Sequence, residues 1–313
     1  MDHPQQLGST VTHSYTTSGS YDVTLTLTLY DGSIVTSTRK IWGGPGTRYL
    51  QGHTITWDET WYSGGTYVIT GVITVAEGAS LTIEPGVTVK FGISSYLYVY
   101  GSLTARGTNG NQILFTSASA NPKTDRWGGI SFYKDSKGVM DYCVVEYGGY
   151  YGIFITGTSP VITNSVIRNN GYYGIQIYGN SSPTIRSCTI SGNTYPITAQ
   201  YPFHNVENIT FSDNTNNQTQ ILTDTLLSDA ILKKALSPYS LIHNLTIPAG
   251  ITLTIESGVI VKLPYDSYNG PSRLYVYGSL TAKGGSGNQI LFTSASSTPK
   301  AGDWGSINFY KKQ

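Results

Sequence analysis

Three groups of side chains in this sequence have types suited to chemistry. The carboxylates Asp141, Glu146, Glu207 and Asp213 fall in the middle of the chain. Two such groups on one face would supply an acid and a base or nucleophile for cleaving a glycosidic bond. The thiols Cys143 and Cys188 and the imidazoles of His3, His13, His53, His204 and His243 are the metal-ligand types. They are scattered rather than clustered, so no metal site and no cofactor is expected. The third group is aromatic: Tyr147, Tyr150, Tyr151, Tyr172, Tyr173 and Tyr178. Rings at this density either stack on one another and stabilise the strands that carry them, or offer flat apolar faces to sugar rings. Nearby Asn and Gln would bond the sugar hydroxyls.

What positions these groups is a set of internal repeats. LTIEPGVTVKF at 81–91 returns as LTIESGVIVKL at 253–263, and YVYGSLTA at 98–105 returns unchanged at 275–282. NQILFTSAS at 111–119 returns at 288–296, and WGGISFYK at 127–134 returns as WGSINFYK at 304–311. The spacing grows from 172 to 177 because GISSY (92–96) gives way to the longer PYDSYNGPSR (264–273), as a surface loop allows. A shorter period runs between the copies. YYGIFITGTSPVITNSVIRNNG from Tyr150 is followed 22 residues later by YYGIQIYGNSSPTIRSCTISGN from Tyr172. The pattern extends back to CVVEYG (143–148) and on to ENITFSDN (207–214). Cys143, Ser165, Cys188 and Ile209 then share one inward position; Val145, Ile167, Ile190 and Phe211 share the next. Asn170, Asn193 and Asn214 share a bend.

A period of 22–23 residues, with short β-branched runs broken by Gly, Asn and Ser, is that of a solenoid. The Leu framework of leucine-rich repeats and the 3.6-residue period of helical repeats are absent, which leaves one turn of a parallel β-helix per unit. In that register Asp141 and Glu207 share a column with Thr163 and Arg186 between them. They stand about 14 Å apart at strand spacing, beyond the roughly 5–9.5 Å of a glycosidase pair. No catalytic residue is expected. Cys143 and Cys188 lie two coils apart, roughly 10 Å, too far for a disulfide. Glu84 and Lys90 recur as Glu256 and Lys262, and are expected at a tight turn and a strand edge. Trp127 and Trp304 open equivalent strands, where packing is the first reading and ligand stacking the second.

The C/S-x-I-x-x-N pattern resembles the coils of right-handed parallel β-helix (pectin-lyase-like) proteins. The LTIEPGVTVKF, YGSLTA, NQILFTS and W-G-G-I series resembles the opening coils of that superfamily in large surface proteins. The resemblance spans about 54–313 and implies an all-β, single-stranded parallel β-helix. It implies little about activity, because the superfamily holds lyases, glycosidases, adhesins and scaffolds. The segment 13–41 alternates Val23, Leu25, Leu27, Leu29 with Thr24, Thr26, Thr28 and turns at Asp31-Gly32. It is similar to the C-terminal half of a PKD domain, a small immunoglobulin-like sandwich. The expected organisation is a partial PKD-like sandwich at 1–41 and a Gly/Pro linker at 42–53. A β-helix with a first opening module and short-period coils follows at 54–224. A second opening module occupies 225–313, cut short before further coils, with Ile307 and Phe309 (matching Ile130 and Phe132) left in an uncovered coil.

Composition narrows the function. Of 313 residues only 12% are charged, about half the usual roughly 25%, and the net charge is +1. No basic excess or cluster exists for nucleic acid, and no stretch approaches the 18 apolar residues of a membrane span. The start lacks a signal-peptide layout; an extracellular or cell-surface fragment with its export signal upstream is the expectation. Asn180, Asn208, Asn217 and Asn244 begin N-x-S/T triplets. The reading is a structural or adhesive module of a modular surface or secreted protein, with polysaccharide or cell-surface glycan as partner and self-association through the solenoid ends. The alternatives are a carbohydrate-active enzyme (lyase or glycosidase) and a self-assembling filament subunit.

Overall fold

The computed structural model describes residues 17, 19–122, 126–266 and 270–311. From Gly46 onward the chain winds as a parallel solenoid with three strand-bearing faces. The first face stacks Ser80–Ile83, Ser102–Arg106, Lys137–Asp141, Val161–Thr163 and Thr184–Arg186. The second stacks Thr88–Phe91, Ile113–Ser117, Cys143–Glu146, Val166–Arg168, Thr189–Ser191 and Thr210–Ser212. The third stacks Tyr96–Val99, Gly129–Phe132, Tyr151–Thr156, Tyr173–Tyr178, Tyr195–Ala199 and Thr219–Ile221. Strands Gly46–Ile55 and Gly65–Val75 bend across the second and third faces.

Each strand lies over the core on one side and faces out on the other, so its residues alternate although the sheets are parallel. The inward register is the one the repeats predict. Val145 pairs with Ile167, Ile167 with Ile190 and Ile190 with Phe211. The first three are fully buried, each stabilising by about 1.5–3 kcal/mol relative to exposure. Cys143 and Cys188 are buried and unpaired, their thiols directed at the carbonyls of Ala105, Asp141, Ile162 and Arg186. Burial pushes both thiols up, Cys188 to about 11.

Asn170, Asn193 and Asn214 form the expected ladder at one bend, all nearly buried. Each Oδ1 accepts the backbone N–H one coil earlier: Gly148 on Asn170 at 2.8 Å, Asn170 on Asn193 at 2.9 Å, Asn193 on Asn214 at 3.0 Å. Each Nδ2 donates to a core-strand carbonyl, of Val145, Ile167 or Ile190. Asn217 closes the ladder by accepting from Asn214 N and Nδ2.

The duplication runs further back than the matching strings. Tyr62 N donates to Tyr67 Oη, and Lys233 N to Tyr239 Oη. Ser63 N donates to Glu84 Oε2, and Lys234 N to Glu256 Oε2, both at 2.8 Å. Asp58 accepts from Ser80, and Asp229 from Thr252. Glu84 and Glu256 therefore clamp the preceding coil besides leading a turn closed by Val87 N or Val259 N on the glutamate carbonyl. Gly101 and Gly278 repeat too: a Cβ on either would lie 2.2 Å from a carbonyl oxygen, of Ala76 or Pro248. The second module is rotated by one face. Its Ile260–Leu263, equivalent to Thr88–Phe91 of the second face, continues the third-face sheet through Tyr239–Leu241.

Two expectations change. The stretch 42–53 is not a linker throughout, because Gly46–Ile55 pairs with Gly65–Val75 as the first coil. Residues 1–16 and 18 of the PKD-like segment lie outside the described residues. The rest is one antiparallel hairpin, Gly19–Thr28 with Ile34–Gly43, turned by Asp31, whose carboxylate accepts from Ser33 N and Oγ. No sandwich surrounds it among the described residues, and Val23, Leu25 and Leu27 are exposed. The insertion at 264–273 is a small surface hairpin, Tyr265–Asp266 against Gly270–Pro271.

Candidate functional site

The outward side of the third face is where the aromatic residues meet. Its central column reads Thr54, Thr74, Tyr98, Ser131, Phe154, Gln176, Thr198, Gln220, Ser240, uncharged until it reaches Lys262 of the second module. Thr198 Oγ1 donates to Gln220 Oε1 at 3.0 Å. Around this column runs an unbroken network of rings. Tyr96 meets Tyr98 at 5.2 Å; Tyr98 and Tyr100 meet Tyr133 at 5.6 and 4.6 Å; Tyr133 meets Phe154 at 6.2 Å. Phe154 joins Tyr151 and Tyr178, and Tyr151 joins Tyr150. Tyr150 and Tyr172 stack at 5.5 Å and 1°, while Tyr173 and Tyr195 complete the network. Ten tyrosines and Phe154 thus span five coils. Tyr100, Tyr150 and Tyr172 are exposed.

Of the six tyrosines singled out in the sequence, five join this network. Tyr147 does not: it sits at a bend with φ 61° and takes no part in the ring contacts. Tyr151 and Tyr173 are register neighbours as expected. Their rings diverge, however, Tyr173 meeting Tyr150 edge-on and Tyr151 lying over Phe154 with its hydroxyl 2.9 Å from Ser131 Oγ. Sequence reading missed Tyr96, Tyr133, Phe154 and Tyr195, and noted Tyr98 and Tyr100 only as a repeated pair. Gly128 was a usable signal. A Cβ there would lie 1.8 Å from the Tyr96 ring, and the equivalent Gly305 faces Arg273 in the same way. Burial pushes the phenols of Tyr98, Tyr133, Tyr151, Tyr173 and Tyr195 up, with neighbouring tyrosines adding to the effect in Tyr98, which reaches about 12. These phenols stay neutral at ordinary pH.

On the other two faces several charged side chains bind their neighbours. Arg106, Asp141, Thr163, Arg186 and Glu207 form one row of the first face. Asp141 Oδ1 accepts from Thr163 and Asn164 at 2.7 and 2.8 Å, and Arg186 lies 3.9 Å from Glu207. On the second face the buried Glu146 accepts from Thr116 at 2.9 Å and from Arg168 Nε at 2.8 Å. Trp127 is wholly buried, stacks on Phe91 at 4.2 Å and donates to the Glu146 carbonyl. It packs and offers no ring to a ligand. Among the described residues no group of three or more His, Cys, Asp or Glu could hold a metal.

A family model described as right-handed beta helix region matches residues 70–232, just over half of the chain. The chain belongs to the right-handed β-helix family. No curated protein matches it. Among solved structures, a mutant of the periplasmic alginate epimerase AlgG is similar over 79% of this chain and 76% of that one, at 12% identity and a TM-score of 0.30. A likeness at that level carries no argument about activity.

The β-helix repeats part of its aromatic surface. Tyr275, Tyr277 and Tyr310 of the second module are the counterparts of Tyr98, Tyr100 and Tyr133. Tyr277 stacks on Tyr310 at 4.6 Å and 12°, as Tyr100 does on Tyr133 at 4.6 Å and 7°. The rotation between modules puts this trio on a different sheet, that of Leu245–Ile247, Leu274–Val276 and Ile307–Phe309.

Proposed function

We propose that this β-helix is a carbohydrate-binding scaffold that holds a neutral polysaccharide along its third face. The observation that carries the reading is the ring network of five coils set around a column that is uncharged from Thr54 to Ser240. Sugar rings present apolar C–H faces and a girdle of hydroxyls. Tyrosine rings cover the former while phenol, amide and hydroxyl groups bond the latter. Tyr100, Tyr150 and Tyr172 are its exposed rings, and apolar rings grouped on a surface support an interaction site. The strand spacing repeats the pattern along the solenoid axis, which suits a polymer better than a compact ligand.

The enzymatic alternative is weaker on this geometry. Asp141 and Glu146 are occupied by hydrogen bonds, and Glu207 stands three strand steps from Asp141, about 14 Å. A low charged fraction and the exposed Asn180, Asn208 and Asn217 in their triplets support a place outside the cytoplasm. Contact between copies through the coil that carries the exposed Phe309 is a second expectation, to be read by sedimentation.

Affinity electrophoresis in gels containing neutral polysaccharides tests the reading. The wild-type chain should be retarded in at least one gel, and Tyr150→Ala combined with Tyr172→Ala should run about tenfold less retained. Equal mobility of the two, both folded by circular dichroism, would overturn it.

A further inference from the structure

The second module carries a cleft beside its tyrosine trio. It measures ≈ 380 Å³ and is lined by Asp224, Thr225, His243, Asn244, Thr246 and Tyr275. That is near the lower end of the roughly 300–1,000 Å³ typical of ligand sites. Its floor is the outward column Thr225, Thr246, Tyr275, continuous through backbone pairing. Its rim is Asp224, whose carbonyl accepts from Thr246 N, and Asn244, whose side-chain oxygen accepts from Arg273 N. The repeat shows where its rim comes from. His243 and Asn244 stand where the first module has Gly71 and Val72, inside the unbroken strand Gly65–Val75. There, the strand runs on and leaves no rim. In the second module Leu241 and Leu245 belong to separate strands, and the residues between them form the rim.

We infer that this cleft, together with the Tyr275, Tyr277 and Tyr310 trio beside it, is a second saccharide site on a different sheet from the first. The inference rests on reading the tyrosine face as a glycan platform and adds a place, a chemistry and a valency to it. Tyr275 belongs to both the cleft and the trio, so a sugar ring in the cleft would lie alongside the exposed stack of Tyr277 and Tyr310. The Asp224 carboxylate accepts hydroxyl hydrogens, the Asn244 amide and the two threonines donate or accept, and His243 does either. A carboxylate in the lining disfavours a uronate, so the ligand class is a neutral sugar chain. With sites on two sheets, one chain engages two polysaccharide strands, or one strand that wraps the solenoid. Affinity for polymer then exceeds that for a short oligosaccharide.

Calorimetric titration with cellohexaose and mannohexaose, and with an alginate hexamer as the anionic comparator, decides the matter. Wild type should bind two neutral hexasaccharides per chain. Asp224→Ala with Tyr275→Ala should remove one, and Tyr150→Ala with Tyr172→Ala should remove the other. Tyr277→Ala alone should weaken the second site by about tenfold, which covers the case in which the double variant misfolds. If the Asp224/Tyr275 and Tyr277 variants keep the full stoichiometry and affinity while the Tyr150/Tyr172 variant loses binding, the second site is wrong and the first stands. If only the Asp224/Tyr275 variant loses binding, the second site stands and the tyrosine platform falls. Equal occupancy of the cleft by the alginate hexamer overturns the neutral class, and no binding of either neutral probe at millimolar concentration overturns both sites.

Discussion

At the residue scale the asparagine ladder shows why one side-chain type is confined to one bend. The bend turns backbone N–H groups inward, where water cannot reach them, and an unpaired buried group costs about 1–3 kcal/mol. Asparagine supplies an acceptor toward one coil and a donor toward a core strand from a single short side chain, whereas an ionised Asp only accepts. Asn193 stands in the middle, bonded to Asn170 above and Asn214 below. Asn193→Ala should therefore destabilise by about 1–3 kcal/mol in urea unfolding, and an unchanged midpoint would show that water replaces the side chain. The thiols make an opposite case. Cys143 and Cys188 act as small apolar fillers, and their raised pKa values leave almost no thiolate near neutral pH. Ellman's reagent should find no reactive thiol in the native chain at pH 8 and two after denaturation; rapid labelling of the native protein would contradict the burial.

At the scale of the element, the glutamate clamps link each module's coils, and the two copies differ in one useful respect. Burial alone would raise the Glu256 pKa, but the Lys233 side chain, the Lys234 N–H and the Lys233 charge together lower it below the ordinary 4.5. A carboxylate depressed in the folded state stabilises above its unfolded pKa and loses that contribution as pH falls through the folded value. The group is more than a third exposed, so the contribution is that of a screened pair, about 0.2–1 kcal/mol. Glu256→Gln should cost that much at pH 7 and progressively less as the pH falls below 4.5 and through the folded-state pKa; a cost independent of pH would place the effect in packing instead. The coils themselves were legible in the sequence wherever their length was constant. Ile167, Ile190 and the three asparagines could be aligned by counting because nothing is inserted between them. Counting fails at the opening modules, where the loop after Ser117 lengthens one coil. Tyr96 and Tyr98 therefore could not be placed beside Tyr133 and Phe154, although they share a face. The duplication before Leu81 was equally hidden, because Trp61 and Leu232 fill the same place with unlike side chains. What persists there is a contact, Tyr67 or Tyr239 on the backbone of the preceding coil. Tyr147 lies at a bend rather than in the ring network, and a run of neighbouring tyrosines does not show which of them sits on a bend rather than a strand.

At the scale of the whole molecule, the duplication provides a comparison in which sequence is held fixed and surroundings change. Ile130 and Phe132 are fully buried beneath the following coils, whereas Ile307 is half-buried and Phe309 is 70% exposed. The same holds for Phe115 against Phe292 and for Ala105 against Ala282. The local strings are nearly identical, so the difference lies in whether another coil stacks on top. In a solenoid, stability is close to a sum of each repeat and its interfaces with its neighbours, and a coil with one neighbour has half the interfaces. Phe132→Ala should then cost about 3–5 kcal/mol, the penalty for emptying a packed aromatic site. Phe309→Ala, at the matching position, should stay within about 0.5 kcal/mol. Native-state hydrogen exchange gives the same contrast without substitution: amides of Ile113–Ser117 and Gly129–Phe132 should open only with global unfolding, and those of Leu291–Ser294 and Ile307–Phe309 far more easily. Equal costs for the two phenylalanine variants, or equal protection of the two sets of amides, would mean that the second module's last coil is stabilised by something other than stacking within this chain.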